Sequence, residues 1–193
     1  MNLRMVIPVE IAVVAALGAI YFGYHAVQDP QEPAKSASSR TPSAMPSVPK
    51  VNTTRLVNKK GGFAVGVPDD VKAKKVNFAV QMTTADKVIS VLAGPAETGT
   101  IAVSRKAFMR AMKQSYTDVR VVRSESKKID GRKAKATYGR AMNAEKKQIS
   151  FVNVVVKATP RNYAIYAFTA ADSDPLFVVP RVNAIINSFE VID

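Results

Sequence analysis

Apolar positions along the chain fall into three regimes. A nearly continuous apolar run fills positions 5–27, residues 28–54 carry almost no large apolar group, and from position 55 short apolar runs alternate with polar turns. In the third regime, period-two alternation bounded by Gly, Pro and Asp predicts strands. Arg55–Lys59 and Phe63–Val67 flank Lys60-Gly61-Gly62, and Pro68-Asp69-Asp70 ends the second of them. Val76–Thr83 and Val88–Ala93 read as the next pair. Val119–Lys127 and Arg132–Met142 form a hairpin about Asp130-Gly131, with Lys133, Lys135 and Thr137 on one face and Ala134, Ala136 and Tyr138 on the other. Ile149–Lys157 and Tyr163–Thr169 are joined through Thr159-Pro160-Arg161-Asn162.

Two segments break this pattern with helical spacing. Ser104 is expected to cap a helix over RKAFMRAMKQSY, in which Phe108, Ala111, Met112 and Ser115 share one face and Lys106, Arg110 and Lys113 the opposite one. Asp172-Ser173-Asp174-Pro175 reads as the start of a second helix running to about Asn187, with Pro180 either splitting it or opening its main part. Strands arranged in hairpins with isolated helices, instead of strand–helix alternation, predict an α+β domain: an antiparallel sheet flanked by helices.

The first regime, MVIPVEIAVVAALGAIYFGYHAV at 5–27, is apolar enough to enter a bilayer if Glu10 and His25 sit at its two interfaces, where Tyr21 and Tyr24 also fit. The reading is an uncleaved single-pass signal anchor over residues 1–27, with the domain on the extracytoplasmic side; a cleaved signal peptide is the rival. Residues 28–54, rich in Pro, Ser and Ala, cannot bury enough surface to fold and are expected to be a disordered tether. Residues 55–193 form the single folded domain.

Charge sharpens the picture. The chain has 28 Lys+Arg against 15 Asp+Glu, a net +13, and the first 54 residues hold only four of those bases and three of those acids. The basic excess therefore belongs to the domain, and favours an anionic partner: anionic lipid, an envelope polymer or an acidic protein. Lys106, Arg110 and Lys113 on the helix, with Lys127, Lys128, Arg132, Lys133 and Lys135 on the hairpin, are the candidate anion-binding residues, and Lys72, Lys74 and Lys75 are further members of a patch. Nucleic acid is disfavoured, because Phe63, Phe78, Tyr138 and Tyr163 stand at core-type positions instead of among the bases.

Little else points to chemistry. The chain has no Cys, and its one His is His25 in the apolar run, so the domain has no His base, His-dependent triad or thiolate site. Gly94 and Gly99 have the spacing of a phosphate loop, but Thr100 stands where that loop needs Lys. No catalytic residue, metal site or cofactor is expected. The alternative is an envelope enzyme working through the turn carboxylates Asp69, Asp70, Asp172 and Asp174, though each also fits ordinary capping of a turn or helix.

The opening GGFAVGVPDD, the Asp130-Gly131 hairpin, the strand at Tyr163 and the closing VNAIINSFEVI together resemble the PsbP-like superfamily over residues 55–193. That superfamily takes in photosystem extrinsic proteins, a Ran-binding nuclear import factor and bacterial envelope proteins. The resemblance implies an α/β/α sandwich in which Phe63 and Phe189 plug the core, and a binding or assembly role without catalysis.

Overall fold

The computed structural model describes residues 51–96 and 98–192. The predicted anchor and residues 28–50 of the predicted tether lie outside them, and no described helix is long and apolar enough to cross a membrane.

A seven-stranded, wholly antiparallel sheet forms the centre of the domain. Its strands are β3 (Val71–Val76), β4 (Ala79–Thr84), β5 (Ile89–Pro95), β6 (Thr117–Ile129), β7 (Arg132–Met142), β8 (Gln148–Val156) and β9 (Tyr163–Ala170), in the spatial order β3-β4-β5-β9-β8-β7-β6. A second antiparallel sheet has β2 (Phe63–Pro68) between β1 (Thr53–Asn58) and the two-residue β10 (Glu190–Val191). Helix α1 (Ile101–Ser115) covers one face of the large sheet, and helix α2 (Pro175–Asn187) with the small sheet covers the other.

Double coverage explains the composition of the middle strands. β5 and β9 are apolar at nearly every position, and β8 is mostly apolar, because both faces of these strands are largely buried, one against Phe108 and Met112 of α1, the other against Val182, Ile185 and Ile186 of α2. Phe63 and Phe189 stack in the core with ring centres 5.3 Å apart, and Tyr163 packs edge-on beside them. Both phenylalanines are fully buried, as core plugs should be.

Five local expectations are corrected. The first helix is capped by Thr100, whose hydroxyl accepts from Val103 N at 3.2 Å, one turn earlier than Ser104. Ser104 instead lies buried on the sheet side, where its hydroxyl accepts from Asn162 Nδ2 at 3.3 Å. Strand β3 has no counterpart in the sequence reading: it is an edge strand exposed at five of six positions, so its Lys72, Lys74 and Lys75 need no apolar partners. The strand expected at Val76–Thr83 accordingly begins at Ala79, after a two-residue turn at Asn77-Phe78. Pro180 neither splits nor opens the second helix but lies buried within it, and the fold starts at Thr53, inside the span expected to be tether.

Candidate functional site

Five connections meet at one end of the large sheet and are tied together by hydrogen bonds. Asn58, at the end of β1, donates from Nδ2 to the carbonyls of Asn77 (3.3 Å) and Ala79 (3.0 Å), joining the β1–β2 and β3–β4 turns. Tyr163 Oη donates to Gly62 O at 3.1 Å, which holds the β1–β2 turn to the first residue of β9. Ala96 N donates to Asn162 O, and Lys157 Nζ to Gly99 O at 2.7 Å, so the β5–α1 and β8–β9 connections lie together. Lys157 N donates to Lys133 O, which brings in the β6–β7 hairpin.

Bases crowd this end. Lys59 and Lys60 occupy the β1–β2 turn, Lys75 nears the end of β3, Lys128 and Lys133 oppose each other across β6–β7, and Lys157 and Arg161 belong to the β8–β9 connection. All seven are exposed. The described acid among these turns is Asp130, which accepts from Val191 N at 3.0 Å and lies 3.5 Å from Arg132; Glu97 is outside the described residues. Lys128 and Lys133 are direct cross-strand neighbours, an arrangement of like charges that destabilises a hairpin by itself.

The opposite end is different in kind. Seven of the ten described acids lie in its connections or beside them: Asp69 and Asp70 after β2, Asp86 after β4, Asp118 at the start of β6, Glu145 after β7, and Asp172 and Asp174 before α2. Several hold a neighbouring base. Asp70 pairs with Arg181 at 2.6 Å, Asp118 with Arg120 at 2.8 Å and Glu145 with Lys147 at 3.4 Å. Net charge is thus polarised along the strands: bases outnumber acids at one end, and most described acids lie at the other beside bases of their own.

This polarity divides the residues singled out in the sequence. Lys128, Lys133 and Lys135 project on the α1 side of the β6–β7 hairpin, Lys128 and Lys133 at its tip and Lys135 one row further in, 3.5 Å from Ser126 Oγ. Lys127 and Arg132 project on the other face, where Lys127 Nζ reaches Asn187 Oδ1 at 3.3 Å. Lys106, Arg110 and Lys113 line the exposed side of α1 and run away from the basic end, Lys113 falling in the last turn, where a cation complements the helix dipole. Sequence reasoning missed Lys59, Lys60, Lys157 and Arg161, each an ordinary turn base until topology gathers them.

The turn carboxylates do not converge. A shallow groove of about 300 Å³ between β1, β2 and β3 is lined by Thr54, Arg55, Leu56, Val67, Pro68, Asp69, Val71 and Ala73, so only Asp69 of the four reaches it. Asp70 is held by Arg181, and Asp174 caps α2 by accepting from Leu176 N at 2.9 Å. Among the described residues no group of three His, Cys, Asp or Glu side chains could hold a metal. Burial raises the Tyr138 phenol above 10.0, and its 2.7 Å hydrogen bond to Glu125 adds to the effect while Arg123, 4.5 Å over the ring, opposes it.

No protein-family model matches the sequence, and no curated protein matches it. Solved structures do match in shape. The chain is similar to cyanobacterial PsbP from Synechocystis sp. PCC 6803, with TM-score 0.54 and 14% identity over 77% of this chain and 98% of that one. It is also similar to the Ran-binding protein Mog1p of Saccharomyces cerevisiae, with TM-score 0.56 and 9% identity over 75% and 97%. A third likeness is to LpqN, involved in cell envelope biogenesis of Mycobacterium tuberculosis, with TM-score 0.51 and 12% identity over 74% and 92%. At such identities the likeness speaks for the fold alone. The described domain has the PsbP-like fold.

Proposed function

We propose that this chain is a membrane-tethered, non-catalytic binding module whose domain stands on the extracytoplasmic side and meets an anionic partner through the basic end of its sheet. The observation that carries the reading is the segregation of charge. Among the described residues the bases at one end outnumber the single acid there, Asp130, while at the other end Arg120, Lys147 and Arg181 are paired with Asp118, Glu145 and Asp70. Uncompensated charge of one sign raises the local concentration of opposite charge and speeds encounter with it. The apolar run at 5–27 and the Pro-rich stretch after it supply anchor and tether. Mog1p is a Ran-binding protein and LpqN is involved in cell envelope biogenesis, so a binding role at the envelope has precedent on this fold. An enzyme built on the turn carboxylates has no support, since Asp70 and Asp174 are committed to an ion pair and a helix cap.

The test is retention of the full chain, in nonionic detergent, on an immobilised polyanion. Changing Lys128, Lys133 and Lys157 to Glu is expected to lower the eluting salt well below the value for Lys106, Arg110 and Lys113 changed to Glu. Equal losses from the two triples would mean that net charge alone governs binding, and would overturn the site.

A further inference from the structure

The β3–β4 turn carries the most exposed large apolar side chain of the basic end, where Val103 in the first turn of α1 is 47% exposed. Phe78, expected at a core-type position apart from the bases, is instead 55% exposed among them, because the two-residue turn between β3 and β4 carries it off the sheet, and Val76 beside it is 41% exposed. Asn77 takes φ = 52°, a left-handed conformation that Asn tolerates, and so closes the two-residue turn that carries Phe78 outward. The position is built. Asn58, 3% exposed, holds the turn through the carbonyls on either side of Phe78, and Gly61 lies so close beneath the Phe78 carbonyl that a Cβ there would collide with it.

Around this apolar tip stand Lys59, Lys60, Lys74 and Lys75, none with an ion-pair partner among the described residues. The other exposed apolar pairs lack such a setting. Val121 and Val122 lie between Arg120 and Arg123, which are paired with Asp118 and Glu125, and Leu176 and Val179 follow the acidic cap of α2. An apolar wedge ringed by free cations is complementary to one kind of surface, an anionic bilayer, whose headgroups take the lysines while its acyl boundary takes the ring.

We infer that the β3–β4 turn inserts Phe78 into the interface of an anionic membrane, with Lys59, Lys60, Lys74 and Lys75 on its headgroups. This rests on the reading above that the basic end meets an anionic partner, and names that partner as lipid. The tether allows it. The chain enters β1 at Thr53, the far end of that strand from Lys59, and β1 is about 20 Å long at some 3.3 Å per residue. The roughly 25 residues between the apolar run and β1 reach up to about 75 Å when extended at some 3.1 Å per residue, enough to turn the tip back towards the bilayer that holds the anchor.

The chain contains no Trp, so Phe78→Trp places a single reporter at the tip. The full-length variant is mixed with vesicles of neutral lipid alone or with about a third anionic lipid, a fraction that sets a strong surface potential. The expected result is emission shifted to the blue, and quenched by acyl-chain spin labels, on anionic vesicles only. Neutralising each of Lys59, Lys60, Lys74 and Lys75 to Gln should weaken the response about fivefold, the equivalent of some 1 kcal/mol per charge near the surface. Leu176→Trp, at the acidic end, should stay in water throughout. Emission from the Phe78→Trp variant that remains water-like on anionic vesicles would overturn insertion. If that variant still binds the polyanion column with its Lys128, Lys133 and Lys157 dependence intact, insertion fails while the anion-binding reading survives; loss of both ends both.

Discussion

Asn58→Ala tests whether the basic tip is built by one buried side chain. Asn58 Nδ2 donates two hydrogen bonds, to Asn77 O and Ala79 O, and Oδ1 accepts a third from Gly61 N at 3.0 Å. Gly61 N also reaches the Asn58 carbonyl at 3.1 Å, so that donor keeps a partner and its loss is small. At about 1 kcal/mol net per hydrogen bond, with a further share for polar groups left buried, the change should cost about 2–3 kcal/mol. Asn58→Asp should cost more at neutral pH, because it keeps the acceptor for Gly61 N but turns a carboxylate oxygen towards two carbonyls. Urea unfolding of the full chain in nonionic detergent gives the stability, and amide exchange reports where it is lost: faster exchange is expected first at 59–62 and 76–79. A loss below about 0.5 kcal/mol, well under one such bond, with unchanged exchange in both turns, would refute the reasoning.

Three other changes follow from the packing. Gly139→Ala should destabilise by about 1–3 kcal/mol or more in the same urea assay, since a Cβ there would collide with the Phe151 ring and with the backbone of the bulged β6 at Arg120. Asn153→Val should raise stability by about 1–2 kcal/mol: Asn153 is fully buried in β8 and neither of its side-chain polar atoms has a protein partner, so an apolar, β-branched side chain removes an uncompensated desolvation. Because the Tyr138 phenol is raised above 10.0 in the folded state, its contribution is complete below pH 10 and declines as pH rises through the raised value; Tyr138→Phe should flatten that part of the alkaline stability profile relative to the parent chain.

The sequence showed the domain where burial writes a pattern. β5, β7, β8 and β9 were legible because their apolar or alternating positions answer to two packed faces or one, and the Asp130-Gly131 turn because its two residues take φ of 50° and 68°, which this pair accommodates. β3 was not legible, since a strand exposed at one sheet edge carries no burial signal and Lys72-Ala73-Lys74-Lys75 has none to give. Thr100 and Ser104 are both competent caps on residue type, Ser slightly the better, and the loop that brings Asn162 against Ser104 decides for Thr100. The candidate site was half legible. Lys128 and Lys133 declare themselves in one hairpin, but their union with Lys59, Lys60, Lys157 and Arg161 depends on which turns share an end of the sheet, a property of topology that no local window contains. The same register that gathers Lys128 and Lys133 sends Lys127 and Arg132 to the opposite face.

The most direct measurement is amide hydrogen exchange on the full chain reconstituted in vesicles, compared with and without anionic lipid. Added protection confined to the turns at 59–62, 77–78, 130–131 and 157–162, with no change at 69–70, 85–88 and 143–147, is the predicted result. Protection spread over both ends, or gathered at the acidic turns, would contradict a basic end that meets an anionic surface.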